Sequence, residues 1–81
     1  MTDVEILGKL KTIFAETFEI NPEEVTLQTH LFTDLDLDSI DAVDLAIKLQ
    51  NMTGKRIKPE DFKNVRTVGD VVGVAQVLLA A

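Results

Sequence analysis

Five aspartates surround a single serine in the stretch Asp34-Leu35-Asp36-Leu37-Asp38-Ser39-Ile40-Asp41-Ala42-Val43-Asp44-Leu45. A serine hydroxyl can serve as a catalytic nucleophile, a point of covalent attachment or a helix cap, and alternating carboxylates can ligate calcium. Asp or Ser just before an apolar-periodic run signals a helix start, so Ser39 is expected at or next to a helix N-terminus. Free backbone N–H groups and the positive end of the helix dipole gather there, an environment that suits a phosphate ester.

Nucleophilic catalysis by Ser39 needs an adjacent base oriented by a third group. The only histidine is His30, nine residues earlier, and the surrounding carboxylates oppose loss of a proton from the serine. No catalytic residue is therefore assigned, and His30 is given no role. Asp34, Asp36 and Asp38 alternate as in a calcium-binding EF-hand loop. Counted from Asp34, however, the glycine position holds Ser39 and the closing glutamate position holds Leu45, so that loop is not expected and no metal site is assigned. Weak divalent association with the acidic patch remains open.

The elements that position this stretch follow from periodicity and caps. Thr2-Asp3-Val4-Glu5 has the spacing of a capping box, and Ile6, Leu7, Leu10, Ile13, Phe14 and Phe18 recur at helical steps, which predicts a first helix over 3–18. Asn21-Pro22-Glu23-Glu24 starts a single turn, after which Val25 and Leu27 are expected in the core. The segment 29–37 is irregular, anchored by Leu31, Phe32, Leu35 and Leu37; a loop this long inside a small domain is often functional. The second helix is expected over 39–52, closed by Thr53-Gly54. Its core stripe is Ala42, Leu45, Ala46 and Leu49. Ile40, Val43 and Ile47 form a second stripe, which periodicity alone leaves open between core and partner-facing. Ile57 to Phe62 gives a short third helix behind Pro59. Thr67-Val68-Gly69-Asp70 caps a last helix carrying Val68, Val71, Val72, Ala75, Leu78 and Leu79, with Gly69 and Gly73 each weakening it by about 1 kcal/mol. The valine-rich run has no second strand to pair with, so helix is preferred.

Eighty-one residues bound the chain to one small domain, 1–81, of marginal stability. Without cysteine it has no disulfide, thiolate metal site or thiol nucleophile of its own. Fourteen acidic against eight basic residues, a net charge of −6, disfavour nucleic acid and anionic membrane and favour a basic protein surface. No signal-peptide layout or bilayer-length apolar run is present, so a soluble cytoplasmic protein is expected.

Asp38-Ser39-Ile40, followed by the acid-bearing helix Asp41-Ala42-Val43-Asp44-Leu45, resembles the phosphopantetheine attachment site of acyl carrier proteins. The resemblance extends over nearly the whole chain in length, helix order and the place of the serine. It implies an all-α, small antiparallel bundle of three main helices plus one short helix, with a long loop between helices one and two. It further implies a carrier rather than an enzyme. A phosphopantetheinyl transferase would move 4'-phosphopantetheine from coenzyme A to Ser39, and acyl groups would be carried as thioesters to enzymes of fatty acid or related lipid biosynthesis. Asp38, Ile40, Asp41, Val43, Asp44 and Ile47 would meet acyl-loading and acyl-processing enzymes with basic docking patches, and the protein would act as a monomer. In the family the acyl chain can fold back between the helices, and Ala42 and Ala46 are compatible with that. The family pattern stays acidic through the rest of helix two, where this chain has Lys48, Gln50 and Asn51. A specialised carrier for polyketide, aminoacyl or lipid-A-type assembly therefore stands beside the general reading. The alternative of a different class is a small acidic interaction module in which Ser39 is only a cap.

Overall fold

Each helix begins where a side chain can replace the backbone partners that its first turn lacks. In the computed structural model, which describes residues 2–62 and 64–80, α1 spans Asp3–Phe18, α2 spans Ser39–Thr53 and α3 spans Val68–Ala80. Thr2 and Glu5 close a reciprocal capping box on α1. Thr67 and Asp70 do the same for α3, the Asp70 N–H donating to Thr67 Oγ1 at 3.2 Å and the Thr67 N–H to Asp70 Oδ2 at 3.0 Å. Gly54 ends α2 with φ 70°, a left-handed conformation that costs glycine nothing.

One apolar core unites the elements. Ile6, Leu10 and Phe14 of α1 meet Leu45 and Leu49 of α2 and Val68, Val71, Val72 and Ala75 of α3. Leu7, Ile13 and Phe18 pack partly buried against it, so the periodic face expected for the first helix is the face that faces inward. The valine-rich segment is helical, as expected. The short third element is a single 3-10 turn, Pro59–Phe62, in which the Lys58 N–H donates to Asp61 Oδ2 at 3.0 Å. A second such turn occupies Pro22–Glu24, capped by Asn21.

The long loop is ordered by a backbone seam along the start of α3. The Leu31 N–H donates to the Arg66 carbonyl, the Val68 N–H to the Thr29 carbonyl and the Gly69 N–H to the Leu27 carbonyl, each at 2.9 Å. Thr29, the buried polar residue of this loop, gives its hydroxyl to the Glu24 carbonyl and accepts from the Thr26 N–H at 2.8 Å. Leu31 and Leu37 enter the core, with Phe32 and Leu35 packed against it.

Leu27 departs from expectation. Val25 is fully buried, but Leu27 is 37% exposed. The Thr29 N–H bonds back to the Thr26 carbonyl, which makes residues 26–29 a turn with Leu27 at its corner.

Gly69 is required by the seam rather than tolerated by the helix. A Cβ at that position would stand 3.0 Å from the Leu27 carbonyl oxygen, whereas one at Gly73 meets nothing within 4 Å. Gly73→Ala is expected to raise unfolding free energy by about 1 kcal/mol in urea titrations, the helix-propensity gain. Gly69→Ala should gain clearly less, or lose stability; equal gains would refute a tight seam. The two backbone N–H donors on Asp70, Thr67 first and then Arg66, hold its carboxyl below the usual aspartate range. Stability from this carboxylate is therefore present above the ordinary aspartate pKa and is lost as pH falls through the lowered folded value. The stability gap between wild type and Asp70→Asn should close over that acid window; a gap constant with pH would count against the assignment.

Candidate functional site

Ser39 is the first residue of α2, not its cap. The cap is Asp38, in extended conformation, whose Oδ1 accepts from the Asp41 N–H at 2.9 Å while Asp41 Oδ2 accepts from the Asp38 N–H at 3.2 Å. An aspartate at the cap and another three residues later make a capping box in which both acceptors are carboxylates, which also favours the positive end of the helix dipole. Because Asp38 takes the capping role, the hydroxyl of Ser39 is left exposed and makes no hydrogen bond to any described residue. The N–H groups of Ser39 and Ile40 are likewise without a partner among the described residues, the Ala42 N–H being the first to join the helical pattern through the Asp38 carbonyl at 3.0 Å. An exposed hydroxyl beside two open backbone donors can accept an esterified phosphate without breaking any existing bond.

The loop before this point is held by its own local contacts. The His30 N–H donates to Asp34 Oδ2 at 2.7 Å, and His30 Nδ1 accepts from the N–H groups of Phe32 and Thr33, both at 3.2 Å. His30 is thus a local backbone clamp, its ring set edge-on to Phe32. Asp36 adopts a left-handed conformation, φ 58°, and Leu37 is buried just before the cap. Asp34, Asp38 and Asp41 each spend a carboxylate oxygen on local backbone. Among the described residues no three acidic or histidine side chains converge as a metal site.

The second stripe of α2 faces outward. Ile40 is 72% exposed, Val43 59% and Ile47 47%. Asp38 and Asp44 are also exposed and Asp41 partly so; Asp41 borders the end of α1 and the long loop, whereas Val43 and Ile47 border the segment after α2. Leu45 and Leu49 take the core role foreseen for the other stripe, while Ala42 and Ala46 are only half-buried. Their small side chains leave a groove of about 270 Å³ between α2 and the segment after it, lined by Ala42, Val43, Ala46, Ile47, Lys58 and Phe62 among others. Gln50 closes one wall, its Oε1 accepting from the Ile57 N–H at 2.7 Å. Sequence reasoning missed Gln50, Ile57, Lys58 and Phe62 here, because no local pattern says which segment lies beside an exposed helix face. A larger groove of about 500 Å³ runs along α3 past Gly73 and Val77 and includes none of the residues around Ser39.

Comparison with known proteins bears on this arrangement. Residues 8–75 match the family model described as the phosphopantetheine attachment site. Acyl carrier protein 2 of Ralstonia nicotianae is 68% identical over 81 residues, covering all of both chains. The meromycolate extension acyl carrier protein of Mycolicibacterium smegmatis is 40% identical over 77 residues, 95% of this chain and 78% of that one. Among solved structures, an acyl carrier protein of Thermotoga maritima superposes with a TM-score of 0.85 at 26% identity, covering 96% of this chain and 91% of the other. A family model spanning most of the chain, a full-length relative and a shared all-helical fold agree, and the chain belongs to the acyl carrier protein family.

Proposed function

We propose that Ser39 is the residue to which the prosthetic arm is joined, and that Asp38, Ile40, Asp41, Val43, Asp44 and Ile47 form the face on which partner enzymes dock. The protein is an acyl carrier, not an enzyme. It uses covalently attached 4'-phosphopantetheine and works with enzymes of acyl metabolism, fatty acid biosynthesis being the general role of its family. The observation that carries the Ser39 assignment is its exposed, unbonded hydroxyl at the first position of α2, beside two open backbone N–H groups.

The residues present fit the group. Ser39 has no partner to surrender, its backbone neighbours offer donors to a phosphate, and the adjacent groove is mostly apolar. In the loading reaction, Ser39 Oγ forms a bond to the phosphorus of coenzyme A that carries the pantetheine, and the bond from that phosphorus to the remaining nucleotide phosphate breaks. The hydroxyl proton passes to a base of the phosphopantetheinyl transferase. Once attached, the arm supplies a thiol, which this cysteine-free chain lacks, to hold the acyl group as a thioester. Tethering keeps that group at high local concentration beside a docked enzyme.

The carboxylates of Asp41 and Asp44 stand three residues apart on one side of α2, flanking the exposed Ile40, Val43 and Ile47. Such a face joins an electrostatic guide to a small apolar contact, which suits brief encounters with basic docking patches rather than a permanent complex. The reading takes residues 1–81 as one monomeric carrier domain working in the cytoplasm, with neither nucleic acid nor membrane insertion among its partners.

Intact mass before and after incubation with coenzyme A and a broad-specificity transferase tests the attachment. Wild type should gain one phosphopantetheine and Ser39→Ala none; a folded, unmodified wild type that gains nothing would leave a small acidic interaction module as the reading. Asp38→Ala removes the cap and should lower stability by about 1 kcal/mol in urea, and it should slow loading. Ile40→Ser with Val43→Ser removes exposed apolar contacts only. That pair should raise the transferase KM several-fold with stability changed by less than about 0.5 kcal/mol; an unaltered KM would argue against docking through this stripe.

A further inference from the structure

α2 and the segment after it are electrically two-ended. Asp34, Asp36, Asp38, Asp41 and Asp44 gather at the end that bears Ser39, with no lysine or arginine among them. From Leu45 to Lys58 there is no acid at all, and four of the eight basic residues of the chain, Lys48, Lys55, Arg56 and Lys58, fall there. All four are exposed. The side chains of Lys48, Arg56 and Lys58 engage no acid among the described residues, although Asp44 lies one helical turn before Lys48.

These charges border the docking stripe rather than lying apart from it. Lys48 follows Ile47 directly, and Lys58 lines the same groove as Val43 and Ile47. At 1.5 Å per residue, Lys48 stands about 14 Å beyond Ser39 along α2 and the helix ends about 20 Å beyond it. The helix end lies well beyond the Debye length of about 8 Å at physiological salt from Ser39, so the two extremes of α2 present separate fields, which meet where Asp44 and Lys48 stand about 6 Å apart along the axis.

We infer that the basic half of this face selects the partner. It fits an acyl-processing enzyme that is basic around the mouth receiving Ser39 and carries carboxylates from about 14 Å further along the line of α2, facing Lys48 and Arg56, and beside the groove that Lys58 lines. It disfavours an enzyme whose docking strip is basic throughout, because like charges then face each other at the far end. The inference rests on the docking face proposed above. A second copy of this chain, laid antiparallel so that acid meets base, is the weaker fit. The outer face of α2, about 20 Å by 10 Å, offers roughly 200 Å² per copy, against about 800 Å² per partner in stable complexes. Such pairing would also cover Ser39.

The test uses the full chain, coenzyme A and two versions of one broad-specificity transferase. The residues bordering the far end of its carrier-binding cleft are set to glutamate in one version and to lysine in the other. Loading is followed by intact mass at low salt and read as kcat/KM. Wild type should prefer the glutamate version by about tenfold, the size expected of three exposed charge contacts acting together. Lys48→Glu with Arg56→Glu and Lys58→Glu should invert that preference, the corresponding glutamine triple variant should abolish it, and high salt should erase it for all. Asp41→Asn with Asp44→Asn should slow both versions alike. An unchanged preference in the glutamate triple variant, with loading still slowed by the aspartate changes, would overturn the inference and leave the docking face standing. If the aspartate changes slow neither version, the docking face fails and the inference falls with it. A dimer seen by sedimentation at micromolar concentration, and dissolved by Lys48→Glu, would replace the enzyme partner with self-pairing.

Discussion

The seam between the long loop and the start of α3 governs the rest of the architecture. Three backbone hydrogen bonds, from Leu31 to Arg66, Val68 to Thr29 and Gly69 to Leu27, tie a segment with little regular structure to the one element whose core face is already fixed by Val68, Val71 and Val72. Without them the loop would be a long tether, and the point at which α2 begins would be free to wander. With them, Leu31 and Leu37 are drawn into the core and Asp38 arrives at a defined place. The absence of a Cβ at Gly69 is what lets the Leu27 carbonyl approach closely enough.

A division of labour between neighbouring residues follows at the head of α2. Capping is done by a carboxylate, which leaves the serine hydroxyl idle and outward. Had Ser39 itself been the cap, its oxygen would be spent on a backbone N–H and a modifying enzyme would have to break that bond first. The same carboxylates that hold the helix end also create the negative field around the hydroxyl. A change at Asp38 or Asp41 therefore acts on both the helix end and that field.

Much of this was legible in the residues. The helical faces of α1 and α3, the Thr2 and Thr67 capping boxes and the glycine stop at Gly54 depend on contacts within a few positions, so local pattern carried them. Ser39 stood out by its setting, one hydroxyl among five aspartates at a helix start. Leu27 was misplaced because a turn made by Thr26 and Thr29 reverses the side on which it falls, and nothing in the apolar pattern announces such a turn. His30 was left without a role, and its part as a backbone clamp depends on a loop shape that no motif encodes.

The sequence by itself determined the helical class, the place of Ser39 at the start of a helix, the acidity around it and the change to basic residues after Leu45, because period, caps and charge order are properties of neighbours in the chain. Tertiary structure alone decided that Asp38 caps and Ser39 does not, that Ile40, Val43 and Ile47 face outward, and that Lys58 and Phe62 come to lie beside them. A helix with apolar residues over much of its circumference has two faces that could be buried. Only the packing of α1 and α3 against Leu45 and Leu49 leaves one of them to solvent.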